Sequence, residues 1–444
     1  MAVHNNRLEA QAAESFIPYR RADIIDLCIQ DGKLTEAESD KFKSFCEILS
    51  AYYHFEFHHL LETLKENYVP FNPDADTKLR FTPTPSEQAG MEAQLVETFE
   101  RVLRRANYTP LAEATLQRAL EKESLIALKT QVDVDDFDRM VLYHRGDTTK
   151  TISLKKLFRQ VEVSIDVFER VVLLLKFKDA AYFQEKGQDT DFSPGRMHVY
   201  FYKNIPKNDL ELLFPNVQVG MTWKDRLLLV VPALGAGVSV IIKALPNLLL
   251  IIGVILFFAL GPSVSSRWGV GQTDVNNIMP ILVAILSLVI ALGGLAFKQY
   301  TSYKNKRLEF LKNVTETLFF RNLASNASVF NALIDAAEEE ECKEVILVYY
   351  HLLTHKGKLS PAQLDGQIEE WMRRKFGTEI DFDIDQTLRQ LEALHGDGPK
   401  VSLLTRDAQG FCHVLPLDEA KALIDQIWDN VFQFDSKAHR SPGN

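Results

Sequence analysis

Most of this chain spaces its hydrophobic positions at helix or strand periods, but two stretches carry almost no polar residue. Residues 227–260 read LLLVVPALGAGVSVIIKALPNLLLIIGVILFFAL, with Lys243 as the single charge, and residues 278–297 read IMPILVAILSLVIALGGLAF, with none. A membrane-crossing helix needs about 20 mainly apolar residues. The second run therefore predicts one span. Pro246 and Asn247 interrupt the first. Its latter part predicts a span over about 244–261, with Lys243 reaching back to the interface. Residues 227–243, which hold Pro232, Gly235 and Gly237, predict an interfacial or re-entrant helix. Lys224 and Arg226 precede the region, and Lys298, Lys304, Lys306 and Arg307 follow it. Cytoplasmic flanks carry excess Lys and Arg, so residues 221–300 are expected to form a two-pass hairpin with both termini on the cytoplasmic side. A third crossing by 227–242 would put one cluster outside. Gly235, Gly237, Gly253, Gly293 and Gly294 would allow close helix packing in a homo-oligomer.

The flanking sequence is patterned differently. Residues 16–68 read as helical, with a Thr35/Glu38 capping box opening a long aromatic-rich helix. Residues 87–105 predict another helix and 109–120 a short one. MVLYHR, VVLLLKFK and MHVYFYK are β-rich runs separated by the turn signals GDTTK and SPGR. Residues 305–337 predict a continuing helix. The final hundred residues read as three helices, the second capped by Ser360 with Pro361 at its first position, then a strand–turn–strand over 401–416 and an amphipathic helix. That is the order of a winged helix. The expected fold class is thus an α+β membrane protein. Its parts would be an N-terminal helical region (1–120), a small α+β domain (121–220), the membrane hairpin (221–300), an amphipathic linker (301–337), a winged-helix-like domain (338–435) and a disordered tail (436–444).

Hydrophobic content is 46% and charged content 25%, ordinary globular values, so the apolar excess is concentrated in the two runs. The formal charge of −10 disfavours a polyanion partner. The third C-terminal helix is placed at 381–395, where a DNA reader would carry its recognition surface. It holds Asp381, Asp383, Asp385 and Glu392 against Arg389, which would repel phosphate and suits a protein partner. The cysteines Cys28, Cys46, Cys342 and Cys412 make no Cys-x-x-Cys pair and read as reduced, buried thiols. The first sixteen residues contain no apolar core of a secretory signal, and Glu9 and Glu14 argue against a transit peptide.

Candidate chemistry is sparse. His54 and His58 stand four apart, the spacing of a two-histidine metal site, amid aromatic residues that suit a packing helix. His144, Arg145 and Asp147 cluster near a turn signal, where they could bind an anion or cap a strand end. Asp133, Asp135, Asp136 and Asp138 lack the glycine and glutamate of an EF-hand loop. The run 338–341, Glu-Glu-Glu-Glu, reads as a solvated helix face. Asn313 and Asn326 match the glycosylation sequon on a helix expected inside the cell. No P-loop, nucleophile elbow or kinase motif set is present, and no cofactor is expected.

VLYHRGD (141–147), FPNVQVGMTWKDRLLLVVPALGAGVSVIIKALPNLL (214–249), residues 296–353 and FDIDQTLRQLEAL (382–394) resemble the transmembrane protein 143-like family, uncharacterised membrane proteins of bacteria, plants and animals. The resemblance covers about 125–432. It implies a membrane location, no known enzyme activity and no catalytic residues to carry over. The missing transit peptide suits a bacterial inner-membrane member. The sequence therefore leads to the expectation of a membrane-anchored interaction protein rather than an enzyme, contacting the lipid bilayer and binding a protein partner through its C-terminal region. A channel or transporter subunit, or an enzyme using His144, Arg145 and Asp147, are the alternatives.

Overall fold

The structure is a computed structural model. It describes residues 15–76, 79–121, 129–156, 159–187, 192–220, scattered positions between 286 and 316, and residues 318–377, 379–396 and 401–431. The N-terminal helices are α1 (Arg21–Gln30), α2 (Glu36–Tyr68), α3 (Pro85–Arg105) and α4 (Glu113–Glu121). Local sequence sets their starts. At α2 the Thr35 hydroxyl accepts from the Glu38 N–H while Glu38 accepts from the Thr35 N–H. Thr84 and Glu87 repeat that reciprocal box at α3, with Pro85 at the first helical position.

The sheet is a five-stranded antiparallel layer in the order β1-β3-β4-β5-β7. Its strands are β1 (Thr109–Pro110), β3 (Phe137–Lys156), β4 (Arg159–Phe177), β5 (Met197–Pro206) and β7 (Asn322–Ser325); β2 is Lys129–Gln131 and β6 is Gln218–Gly220. The strands β3 and β4 run far beyond the predicted short runs, because GDTTK is not a turn. Arg145 pairs with Arg170 and Asp147 with Phe168, so the ladder passes straight through it. Gly146 lies between them at φ +75, and a Cβ there would meet the Glu169 Cβ at 2.5 Å. Only glycine lets the strand bend at this point while staying paired. A short helix, α5 (Ala180–Glu185), sits between β4 and β5.

The C-terminal elements are α6 (Ala327–Thr354), α7 (Pro361–Phe376), α8 (Ile384–Ala393), the hairpin β8 (Leu404–Arg406) and β9 (Cys412–Val414), and α9 (Leu417–Val431). The helix predicted through 305–337 is broken by β7, which adds an edge to β5 by pairing Tyr200 with Ser325 and Phe201 with Ala324. Asn326 then turns the chain into α6 with a positive φ of 50.

Two compact units result. One comprises Met1–Thr115, Val134–Lys207 and Arg321–Asn444; the other comprises Leu116–Asp133 and Asn208–Phe320. In the second unit β2 pairs antiparallel with β6, and the Asn216 Nδ2 donates to the Asp133 carbonyl at 2.7 Å. In the first unit a single apolar core joins all three stretches of chain. It takes Phe45, Leu49, Phe57 and Phe99 from α2 and α3, and Val172, Leu174, Val199 and Phe201 from one sheet face. From α6 to α9 it takes Phe330, Tyr349, Trp371, Leu388 and Ile424. At its centre, α6 is buried on every face from Glu340 to His351.

Two expectations are corrected here. The C-terminal elements follow the predicted helix–helix–helix–hairpin–helix order, but they are not a free-standing winged-helix domain: α6 packs on α2 and α3 within the shared core. The described residues form an α+β arrangement built on a five-stranded antiparallel sheet, with the N-terminal and C-terminal helices sharing one core instead of forming separate domains. Among the described residues no helix is long and apolar enough to cross a membrane. Run 227–260 lies outside the described residues, as does most of 278–297. The multi-pass membrane assignment and its inner-membrane location are therefore withdrawn.

Candidate functional site: an acidic cleft on the C-terminal helices

The Ser360 cap and Pro361 start α7, and Gly377, in the left-handed region at φ +68, ends it with its N–H on the Arg373 carbonyl at 2.8 Å. The chain then doubles back toward α8, whose N-cap Asp383 accepts from the Gln386 N–H at 3.1 Å. This return is fastened to α7 by the Phe382 N–H donating to Glu369 Oε1 at 3.1 Å. It sets Glu379 and Asp381 beside Glu369 and Glu370. Together with Gly366, Arg373 and Ile380 they line a cavity of about 410 Å³.

The charge in this cleft is one-sided. Arg373 is paired with Glu370, and Arg374 lies 3.7 Å from the same carboxylate. Asp365, Glu369, Glu379, Asp381, Asp383 and Asp385 make no ion pair among the described residues. Partial burial, and then the neighbouring Glu369, Asp381, Asp385 and Asp383, push the Asp365 carboxyl up to about 6. Like charges within a Debye length, roughly 8 Å at physiological salt, raise a carboxyl in this way. Asp365 Oδ1 also has no hydrogen-bond partner. The arrangement stores repulsion that an incoming cation would relieve.

The residues singled out from the sequence are placed elsewhere. His54 Nδ1 lies 2.9 Å from Glu338 Oε2 on a largely exposed side chain, and His58 is exposed. Among the described residues no group of three or more His, Cys, Asp or Glu could hold a metal ion. His144 packs against Phe168 with tilted rings 4.2 Å apart, and Asp147 pairs with Lys207 at 2.7 Å. Arg145 leaves them: it donates to the Ala106 carbonyl at 3.0 Å and lies over Phe16 and Tyr108 at 3.8 and 4.7 Å. Asp136 and Asp138 bind Lys186 and Lys176. Asn326 is buried, its side chain held by Tyr68 and Val199, so its sequon is covered. All four cysteines are free and buried. Lys298 and Lys304 are exposed; Lys243, Pro246, Lys306 and Arg307 lie outside the described residues.

The polyglutamate run is the largest departure from the sequence reading. Glu340, Glu341, Lys343 and Glu344 are at most 2% exposed. Glu341 accepts two bonds from Arg105, which also reaches Glu56 at 2.8 Å. Lys343 pairs with Glu340 at 2.6 Å. Glu344 accepts from Asn107 Nδ2 at 2.8 Å, and desolvation together with Glu340 pushes its carboxyl well above the ordinary range. The available signal was context. Three residues after the run comes VILVYYHLL, a stretch long enough to be apolar on nearly every helical face.

Residues 168–328 match the model of a protein family of unknown function, DUF3754. The match covers about a third of the chain. It begins in β4, takes in β5 and β7, and stops just inside α6, short of the acidic cleft. No solved structure matches the chain. The chain thus carries a domain whose activity is unknown, and the cleft lies outside the matched stretch.

Proposed function

We propose that the protein is a protein-interaction module that holds a basic segment of a protein partner in the cleft between α7 and the return into α8. The observation that carries this reading is the lining of the cavity, where Glu369, Glu370, Glu379 and Asp381 face one base, Arg373, that is already paired with Glu370. Next to Gly366 of that lining, burial and then four neighbouring acids push the Asp365 carboxyl up to about 6. A lysine or arginine entering there would meet uncompensated carboxylates. A single exposed ion pair contributes only about 0.2–1 kcal/mol, so recognition would need several cations presented together, as on a helix or extended strand of a folded partner. The same charge disfavours nucleic acid, whose phosphates it would repel.

The test is a fluorescence-anisotropy titration of a lysine/arginine-rich dodecapeptide, and of its aspartate/glutamate-rich counterpart, against the full chain and its Glu379→Lys/Asp381→Lys variant. The basic peptide should bind saturably, weaken with added salt, and lose about tenfold or more in affinity against the variant, as rim-charge complementarity requires. Equal binding of the two peptides, or no effect of charge reversal, would contradict the proposal.

A further inference from the structure

A second feature lies at the middle of α6, where Glu340 and Lys343 hold the segment that precedes α1. Residues 15–20 precede α1 without helix or strand. Among the described residues, 15–18 take part in no backbone–backbone hydrogen bond. Their main-chain groups are bound by side chains instead. The Ile17 N–H donates to Glu340 Oε1 at 2.6 Å, and the Ile17 carbonyl accepts from Lys343 Nζ at 2.5 Å. The Ser15 carbonyl accepts from Asn107 Nδ2 at 3.2 Å, and just beyond the segment the Arg21 N–H donates to Glu339 Oε1 at 2.7 Å. The side chains are anchored too. Ile17 is fully buried, and Phe16 lies under the Arg145 guanidinium at 3.8 Å with Lys343 at 5.1 Å. Tyr19 stacks on Phe376 at 3.5 Å.

This is how a protein binds an extended peptide: main-chain groups fixed by polar partners, and pockets for chosen side chains. It is an unusual way to hold a segment of one's own core. A buried Glu–Lys pair carries a desolvation penalty, and apolar residues of similar volume would commonly serve stability as well or better. Asn107, which ends α3 in the left-handed conformation that asparagine tolerates, extends the set: its side-chain amide donates to the Ser15 carbonyl, Glu340 and Glu344. A charged pair and an amide aimed at main-chain groups make sense for reading a peptide backbone.

We propose that Glu340, Lys343, Asn107 and Arg145 form a peptide-docking groove which Phe16–Tyr19 fill in cis. A partner's extended segment with the same aromatic–aliphatic–proline–aromatic order can displace them. The groove reads the backbone through the Glu340–Lys343 pair and sets specificity through the buried aliphatic site and the Arg145 face. The tethered segment competes at an effective concentration in the millimolar range, so displacement needs a strong ligand or a weakened cis segment.

The experiment uses the full chain carrying Phe16→Ala and Ile17→Ala, titrated with a fluorescein-labelled peptide of the unaltered residues 14–21. The peptide should bind saturably and about tenfold or more tightly than it binds the unaltered chain, because the cis competitor is weakened. The same peptide with both alanines should not bind. A folded variant that shows no saturable binding, or that binds both peptides alike, overturns the proposal. Should the variant not fold, hydrogen exchange on the unaltered chain decides. Amides of 15–20 exchanging at least about tenfold faster than those of 345–350 mark a releasable segment, and exchange only with global unfolding overturns it.

Discussion

Glu344 shows what single residues contribute in this fold. It is fully enclosed, accepts from Asn107 and faces the Thr387 hydroxyl at 3.4 Å. Burial raises its carboxyl well above the 4.5 of an exposed glutamate. The folded chain therefore holds this proton more tightly than the unfolded chain does. Its contribution to stability is complete below about pH 4.5 and is lost as pH rises through the folded value. Glu344→Gln, which keeps the shape and removes the titration, should flatten the decline in unfolding free energy as pH rises above about 4.5 in urea melts. Parallel declines in variant and parent would contradict this. Glu340 behaves differently, because Lys343 depends on it. Glu340→Ala strands a buried ammonium and should cost about 3–5 kcal/mol at pH 7 in the same assay. A loss under about 1 kcal/mol would mean that the pair is hydrated.

At the scale of elements, local chemistry was readable and long-range pairing was not. The Thr35/Glu38 box and the Ser360–Pro361 start appear where the sequence places them, because a cap is a contact between residues three apart. Ser360→Ala should accordingly lower stability by about 1 kcal/mol, measured by thermal or urea unfolding. The strand β7 was hidden inside a helical pattern, since its reason for being extended is β5, more than a hundred residues away in sequence. GDTTK looked like a turn because Gly146 and Asp147 are turn formers, yet the Gly146 bend is absorbed within a continuous β3–β4 ladder. The acidic cleft was half legible. The acids of 381–385 stood out, but that Asp381 meets Glu369 and Glu370 depends on how the chain returns after Gly377.

At the scale of the molecule, the first unit is closed by contacts between chain ends. Phe45 stacks on Tyr349 at 4.1 Å, and Phe42 meets Tyr350 at 5.8 Å, so α6 owes its apolar environment to α2. An excised fragment of residues 338–444 should therefore show no cooperative unfolding and a collapsed amide spectrum by NMR. A sharp transition from that fragment would mean that the C-terminal elements carry a core of their own. Burial of the polyglutamate run belongs to this scale as well. The run itself reads like a solvated acidic face; Arg105 and Asn107, which the fold brings from elsewhere, and Lys343 on the same helix are what enclose it.

The docking reading of the acidic cleft is tested most directly by the titration of Asp365. Side-chain carboxyl resonances would be followed by carbon-13 NMR in the full chain, alone and with the lysine/arginine-rich peptide. In the free protein the midpoint should lie at about 6, raised by partial burial and then by the surrounding acids. Bound cations should lower it, because they favour the carboxylate, and affinity should accordingly rise as pH rises through that midpoint. An ordinary Asp365 titration in the free chain, or a midpoint that saturating peptide leaves unmoved, would contradict it.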